Sequence, residues 1–225
     1  MTDHPAVAGI PLVLGGNVFG WTADEDNSFA VLDAFYEAGG RMVDTADVYS
    51  AWVDGHEGGE SEKVIGKWMA SRGVRGDMRI HTKTGMLSSK PSEAGKMGDP
   101  GLYEPECVLS HLDASLERLQ TDYVDLYYAH RDFEDLAIAD IVTAFAGAWD
   151  TGKIRELGAS NFTAERLASA LDEQDRMGTR AFAVLENEYN LVSRDAYSPA
   201  LQQLCRERGI VMLPYFGLAA GYLTG

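Results

Sequence analysis

The feature that most constrains this chain is an alternation: seven short, β-prone apolar runs are separated by six longer segments of helical period. The runs fall at 11–15, 41–45, 79–83, 123–129, 154–159, 183–186 and 210–215, and the helical segments at 26–38, 60–71, 105–119, 138–151, 164–177 and 198–208. A strand can return parallel to its neighbour only through a crossover of a dozen or more residues, so this rhythm predicts repeated βα units around a parallel sheet. The junctions agree. Gly39-Gly40 and Gly209 sit where a helix ends in a left-handed cap, Pro105 suits a first helical turn, and Thr163 suits an N-cap. The expected fold is α/β, a single incomplete TIM (β/α)8-barrel domain over residues 1–225, with about seven strands and without the C-terminal strand and helices. An open doubly wound sheet would want Gly-x-Gly-x-x-Gly after the first strand. Gly15-Gly16-Asn17-Val18-Phe19-Gly20 has another spacing and opens no immediate helix. The polar, aperiodic stretch 86–101 reads as a long loop over the face where the strands end.

Composition narrows the function. A net charge of −16 disfavours nucleic acid or an anionic membrane as partner, though not a small anionic cofactor held by local groups. Cys107 and Cys205 have no second Cys or His at metal-ligand spacing, so no metal site is expected. No run of about 18 apolar residues suggests a membrane span, and Met1-Thr2-Asp3-His4-Pro5 does not resemble a secretory leader; a cytoplasmic protein is expected.

In a barrel, functional residues gather where the strands end. Strand two runs into Asp44-Thr45-Ala46-Asp47-Val48-Tyr49, strand three ends in Lys83, strand four leads to His130, and strand five to Ser160-Asn161. Singly, these have plainer readings: Asp44 as a turn residue, Tyr49 as one of ten tyrosines, His130 as a hydrogen-bonded rim residue. Lys83 resists dismissal, because a lysine closing a buried strand is costly without a partner. Together they form a proton-donating device. An ammonium beside a phenol favours the phenolate and makes the tyrosine a more usable acid, while a carboxylate holds the lysine.

The string Gly39-Gly40-Arg41-Met42-Val43-Asp44-Thr45-Ala46-Asp47-Val48-Tyr49 resembles a signature of the aldo-keto reductases, and later spans resemble that family's further motifs in order. Those spans are Gly59-Glu60-Ser61-Glu62-Lys63-Val64-Ile65-Gly66, Thr82-Lys83, Asp122 through His130, Gly152-Lys153-Ile154-Arg155, Gly158 through Phe162, and Glu188-Tyr189-Asn190-Leu191. The resemblance implies reduction of an aldehyde or ketone to an alcohol with NADPH, or NADH, as cofactor and a small carbonyl compound as substrate. It implies Tyr49 as proton donor, Lys83 as the group that tunes it, Asp44 as the holder of Lys83, and His130 as the group that orients the substrate oxygen. For the cofactor it implies Gly16, Asn17 and Asp44, then Ser160, Asn161 and Glu186 at the carboxamide. Tyr215 would stack on the ring, and Phe216, Gly217, Leu218 and Ala220 belong to the loop that wraps the pyrophosphate.

Glu186 stands where the family usually has glutamine, and a carboxylate cannot donate to a carbonyl; Phe216-Gly217 replaces the common Ser-Pro. In the family, strand eight and the basic residues for the ribose 2′-phosphate follow the point corresponding to Gly225, so weak NADPH binding by the 225-residue chain is a further expectation. Trp21, Trp52 and the 86–101 loop would line the pocket. Rival readings are a cofactor-binding regulatory subunit that is not itself catalytic, and an inactive fragment of a reductase.

Overall fold

A computed structural model describes residues 4, 6–87 and 99–225 of the chain. Seven parallel strands lie in the order of the sequence: β1 (Val13–Gly15), β2 (Met42–Asp44), β3 (Arg79–Thr84), β4 (Leu126–Ala129), β5 (Leu157–Ser160), β6 (Phe182–Glu186) and β7 (Val211–Met212). Six helices provide the crossovers: α1 (Glu25–Glu37), α2 (Glu60–Arg72), α3 (Pro105–Leu119), α4 (Ile138–Asp150), α5 (Ala164–Met177) and α6 (Pro199–Arg208). The anticipated punctuation is present. Pro105 opens α3, Thr163 accepts a hydrogen bond from Arg166 N at the start of α5, and Gly209 closes α6 at φ 68°.

Side-chain alternation sorts each strand between two environments. Val43, Ile80, Tyr127, Ala129, Leu157, Ala159 and Leu185 face the helices and belong to the large core with Trp68, Leu112, Phe145 and Leu167. The opposite face carries Leu126, Tyr128 and Val184, packed with Ala6 in a smaller cluster, and above these the polar residues of the site. Residues of β1 and of the segment after β7, Val13 and Leu213 among them, line one common cavity. The sheet is therefore curled, as in a (β/α)8 barrel.

Three departures from expectation are local. β7 is shorter than 210–215: its paired register covers Val211 and Met212, while Leu213 N and Tyr215 N still bond Leu185 O and Asn187 O and Tyr215 makes a separate bridge to Glu188. β4 begins late: ahead of Leu126, Val124 makes only an isolated bridge to Ile154. Short 3₁₀ turns at Pro100–Tyr103, Asp195–Tyr197 and Ala219–Thr224 replace loop. The expected 86–101 loop falls, over 88–98, outside the described residues.

Behind the sheet, Glu62 of α2 is fully buried, and its carboxylate accepts from Thr82 Oγ1 at 2.6 Å and Arg118 Nε at 2.6 Å. Arg118→Met should cost about 3 kcal/mol in urea unfolding, because breaking a buried pair leaves an uncompensated charge. Adding Glu62→Gln should recover most of that loss. A single-variant loss below about 1 kcal/mol, the range of surface pairs, would show that this ion pair does not hold α2 to α3.

Candidate active site

The curl brings the ends of β2, β3, β4, β5 and β6 around one cavity of about 610 Å³. Register explains why: Asp44 pairs with His81, Lys83 with Tyr128, and Ser160 with Glu186, so the inward positions of successive strands stand at neighbouring heights. Lys83, 1% exposed, lies under the cavity floor. Its ammonium has three hydrogens. They go to Asp44 Oδ2, to Thr45 O at 3.0 Å and to Tyr49 Oη at 3.2 Å. Tyr49 Oη thus accepts from Lys83, and its own hydrogen is left to point elsewhere. Glu186 Oε1 lies 3.5 Å from the same ammonium, so one cation serves two buried carboxyl groups.

That count sets the electrostatics. Burial would push Lys83 down, but Asp44 and Glu186 outweigh it and hold the ammonium charged well above its ordinary range. Burial raises Asp44 against the pull of Lys83. Glu186 is pushed up to about 8 by burial and by Asp44, with Lys83 opposing. The shift favours the protonated carboxyl, whose O–H could donate, over the carboxylate. At Tyr49 the same groups compete. Lys83 does pull its pKa down, yet burial first, and then Asp44 and Glu186, drive it above the usual phenol value. Tyr49 stays protonated at neutral pH, the form a donor needs.

His130 follows β4, with its ring 6.0 Å from that of Tyr49 in an edge-on arrangement. Burial, and after it Lys83 and Arg131, keeps it neutral. Asn161, at φ 59°, accepts from Tyr215 Oη at 2.8 Å and donates through Nδ2 to His130 O at 3.0 Å and Ser160 Oγ at 3.0 Å. One lone pair of its Oδ1 remains for a further donor. Asn17, Ser160, Glu186, Tyr215, Phe216, Gly217, Leu218 and Ala220 also line the cavity. Phe216, Ala219 and Ala220 adopt left-handed backbone without being glycine.

Gly16 is brought close but not into the lining: its N bonds Asp44 O at 2.7 Å, and a Cβ there would lie 2.9 Å from that oxygen. Trp52 lines the cavity, and Trp21 stacks edge-on against it at 5.5 Å. Sequence reasoning gave Tyr128 and His81 no role, and they also line the cavity from the inward face. Tyr128 Oη and His81 Nδ1 are buried without a hydrogen-bond partner among the described residues. The signal was available, since both stand two positions before residues singled out, His130 and Lys83, on strands whose faces alternate.

A sequence model of the Aldo/keto reductase family matches residues 11–225. The chain is similar to aldo-keto reductase str7 of Strobilurus tenacellus, 34% identical over 92% of this chain and 55% of that protein. It is similar to norsolorinic acid reductase B of Aspergillus parasiticus, 32% identical over 94% and 55%. A third relative is aryl-alcohol dehydrogenase [NADP(+)] of Phanerodontia chrysosporium, 30% identical over 89% and 51%. The chain spans about half the length of these curated relatives. No helix among the described residues is long and apolar enough to cross a membrane.

Proposed function

Because the chain belongs to the aldo/keto reductase family, we propose that it works as an NAD(P)H-dependent oxidoreductase that converts an aldehyde or ketone to an alcohol, with Tyr49 as the proton donor. The observation that carries this reading is the double engagement of Lys83 Nζ, by Asp44 Oδ2 on one side and Tyr49 Oη on the other, under a cavity large enough for a substrate and a nicotinamide ring. Lys83 donates to the phenol oxygen, leaves the phenol hydrogen free for a substrate oxygen and stabilises negative charge left on Tyr49 after transfer. Asp44 and Thr45 O fix the ammonium. Neutral His130, beside the Tyr49 ring, orients the substrate oxygen.

The residues present fit a nicotinamide dinucleotide. Asn161 Oδ1 has an acceptor lone pair to offer a carboxamide N–H, and protonated Glu186 offers an O–H to the carboxamide oxygen. The Tyr215 ring supplies a stacking face, and the loop that follows, with Phe216 and Ala220 in left-handed backbone, lines the same cavity, where its backbone N–H groups could hold phosphate. When bound, the reduced nicotinamide supplies hydride to the carbonyl carbon. NADPH is the favoured form, in keeping with the NADP(+) in the name of one relative. The paired Trp21 and Trp52 suit a planar aromatic carbonyl compound, in keeping with the aryl alcohol in the same name. The two free cysteines accord with a cytoplasmic setting.

The test is direct. Mixed with NADPH and benzaldehyde, the chain should bind the cofactor in a titration, weakly as the sequence leads one to expect, and consume it only when aldehyde is present. Absence of both binding and aldehyde-dependent turnover, with NADPH and with NADH, would remove the reading.

A further inference from the structure

Among the described residues, Lys83 is the one cation paired with the buried cluster, and it faces two carboxyl groups, those of Asp44 and Glu186. With one proton shared between the carboxyls, the cluster is neutral; with none, it carries a charge of −1 in a dry setting, where an unbalanced charge is expensive. A neutral ring above the cluster favours the first state, and a cationic ring favours the second. We propose that the Asp44–Glu186 pair is the proton store of the reaction, holding one proton while the reduced ring is bound and giving it up as the ring becomes cationic. The proposal rests on the reading that Glu186 faces the nicotinamide.

The path is continuous in the structure. Tyr49 passes its proton to the substrate oxygen, Lys83 Nζ passes one to Tyr49 Oη, and the carboxyl pair returns one to Lys83. The hydride, with its electron pair, ends on the substrate carbon. The carbonyl compound is reduced, the cofactor is oxidised, and the chain finishes one proton poorer, with an anionic cluster facing a cationic ring. Release of the oxidised cofactor lets solvent return the proton.

The other titratable groups around Glu186 do not confuse the count. Burial raises Tyr49, Tyr128 and Tyr215 above their ordinary value and keeps them protonated. Burial holds His81, at about 4, and His130 below theirs and keeps them neutral. Lys83 stays charged. Glu186, at about 8, is the group poised to change.

Calorimetric titration of the chain near neutral pH, in phosphate and in Tris, counts protons released on binding. The wild-type chain should release about one proton more with NADP+ than with NADPH, since any contribution from the 2′-phosphate is shared and cancels. In Glu186→Gln the difference should vanish while both cofactors still bind, and the preference for the oxidised form should fall. An equal difference in both proteins, or none in the wild type, would overturn the proposal. Should the variant fail to fold, the wild type decides alone: NADP+ affinity should rise up to about tenfold per pH unit from pH 6 to 8 while NADPH affinity stays flat. Two flat profiles would overturn it. Failure of either cofactor to bind the wild type would instead overturn the cofactor reading beneath it.

Discussion

Replacing Tyr49 with phenylalanine is expected to lower kcat at least about a hundredfold, the usual scale of a general acid's contribution, while cofactor affinity barely moves. Among the described residues Tyr49 Oη makes one polar contact, the hydrogen bond from Lys83. The ring contacts with Trp52 and His130 survive in phenylalanine. The variant thus subtracts the transferable hydrogen and little of the packing. Steady-state rates with the aldehyde, beside a binding titration with NADPH, would separate the two effects. Turnover within a few-fold of wild type would take Tyr49 out of the mechanism and leave a protein that binds cofactor by another logic.

Lys83→Met should abolish turnover and also destabilise the chain, and the two losses should respond differently to pH. Without the ammonium, Asp44 and Glu186 face each other buried and unpaired, a situation worth about 3–5 kcal/mol when both are ionised. The sign follows from linkage. Glu186 has a folded-state value of about 8, above its ordinary 4.5, so the folded chain binds more protons than the unfolded one between those values, and its contribution is lost as pH rises through them. Removing the cation raises the carboxyls further. Urea unfolding should therefore find the variant far weaker than wild type at pH 9 and much closer to it at pH 6, while activity stays absent at both. Adding Glu186→Gln should restore much of the stability and none of the turnover. Equal destabilisation at the two pH values would mean that lost packing, not charge, governs the site.

Much of this was legible in the order of residues. Strand and helix positions follow from period and punctuation, because a buried parallel strand must be apolar on both faces and each helix must end before the next strand. Asp44, Tyr49, Lys83 and His130 could be named from their places at strand ends. The charge count at Lys83 could not. It depends on how far the sheet curls, which brings β6 within reach of β3 across the interior although two strands, β4 and β5, lie between them. For that reason the direction of the shift at Glu186, and the net direction at Tyr49, cannot be had from residue pairs alone. The Asn161 linkage from Tyr215 to His130 was equally hidden, since it joins residues 54 and 31 positions from Asn161 in the chain.

The tryptophan pair at the mouth has an optical consequence. Trp21 and Trp52 are 43% and 41% exposed and touch edge to ring, and Trp52 in turn meets Tyr49. Trp68, by contrast, is sealed in the core with its N–H on Asp33. Emission from the mouth pair should lie to the red of that from Trp68, and the pair is well placed to hand its excitation to a reduced nicotinamide, whose absorption overlaps tryptophan emission. The chain thereby carries its own reporter. Excited in the indole band, it should lose red-side emission and gain cofactor emission as NADPH enters, with the red-side quenching much reduced in Trp52→Phe.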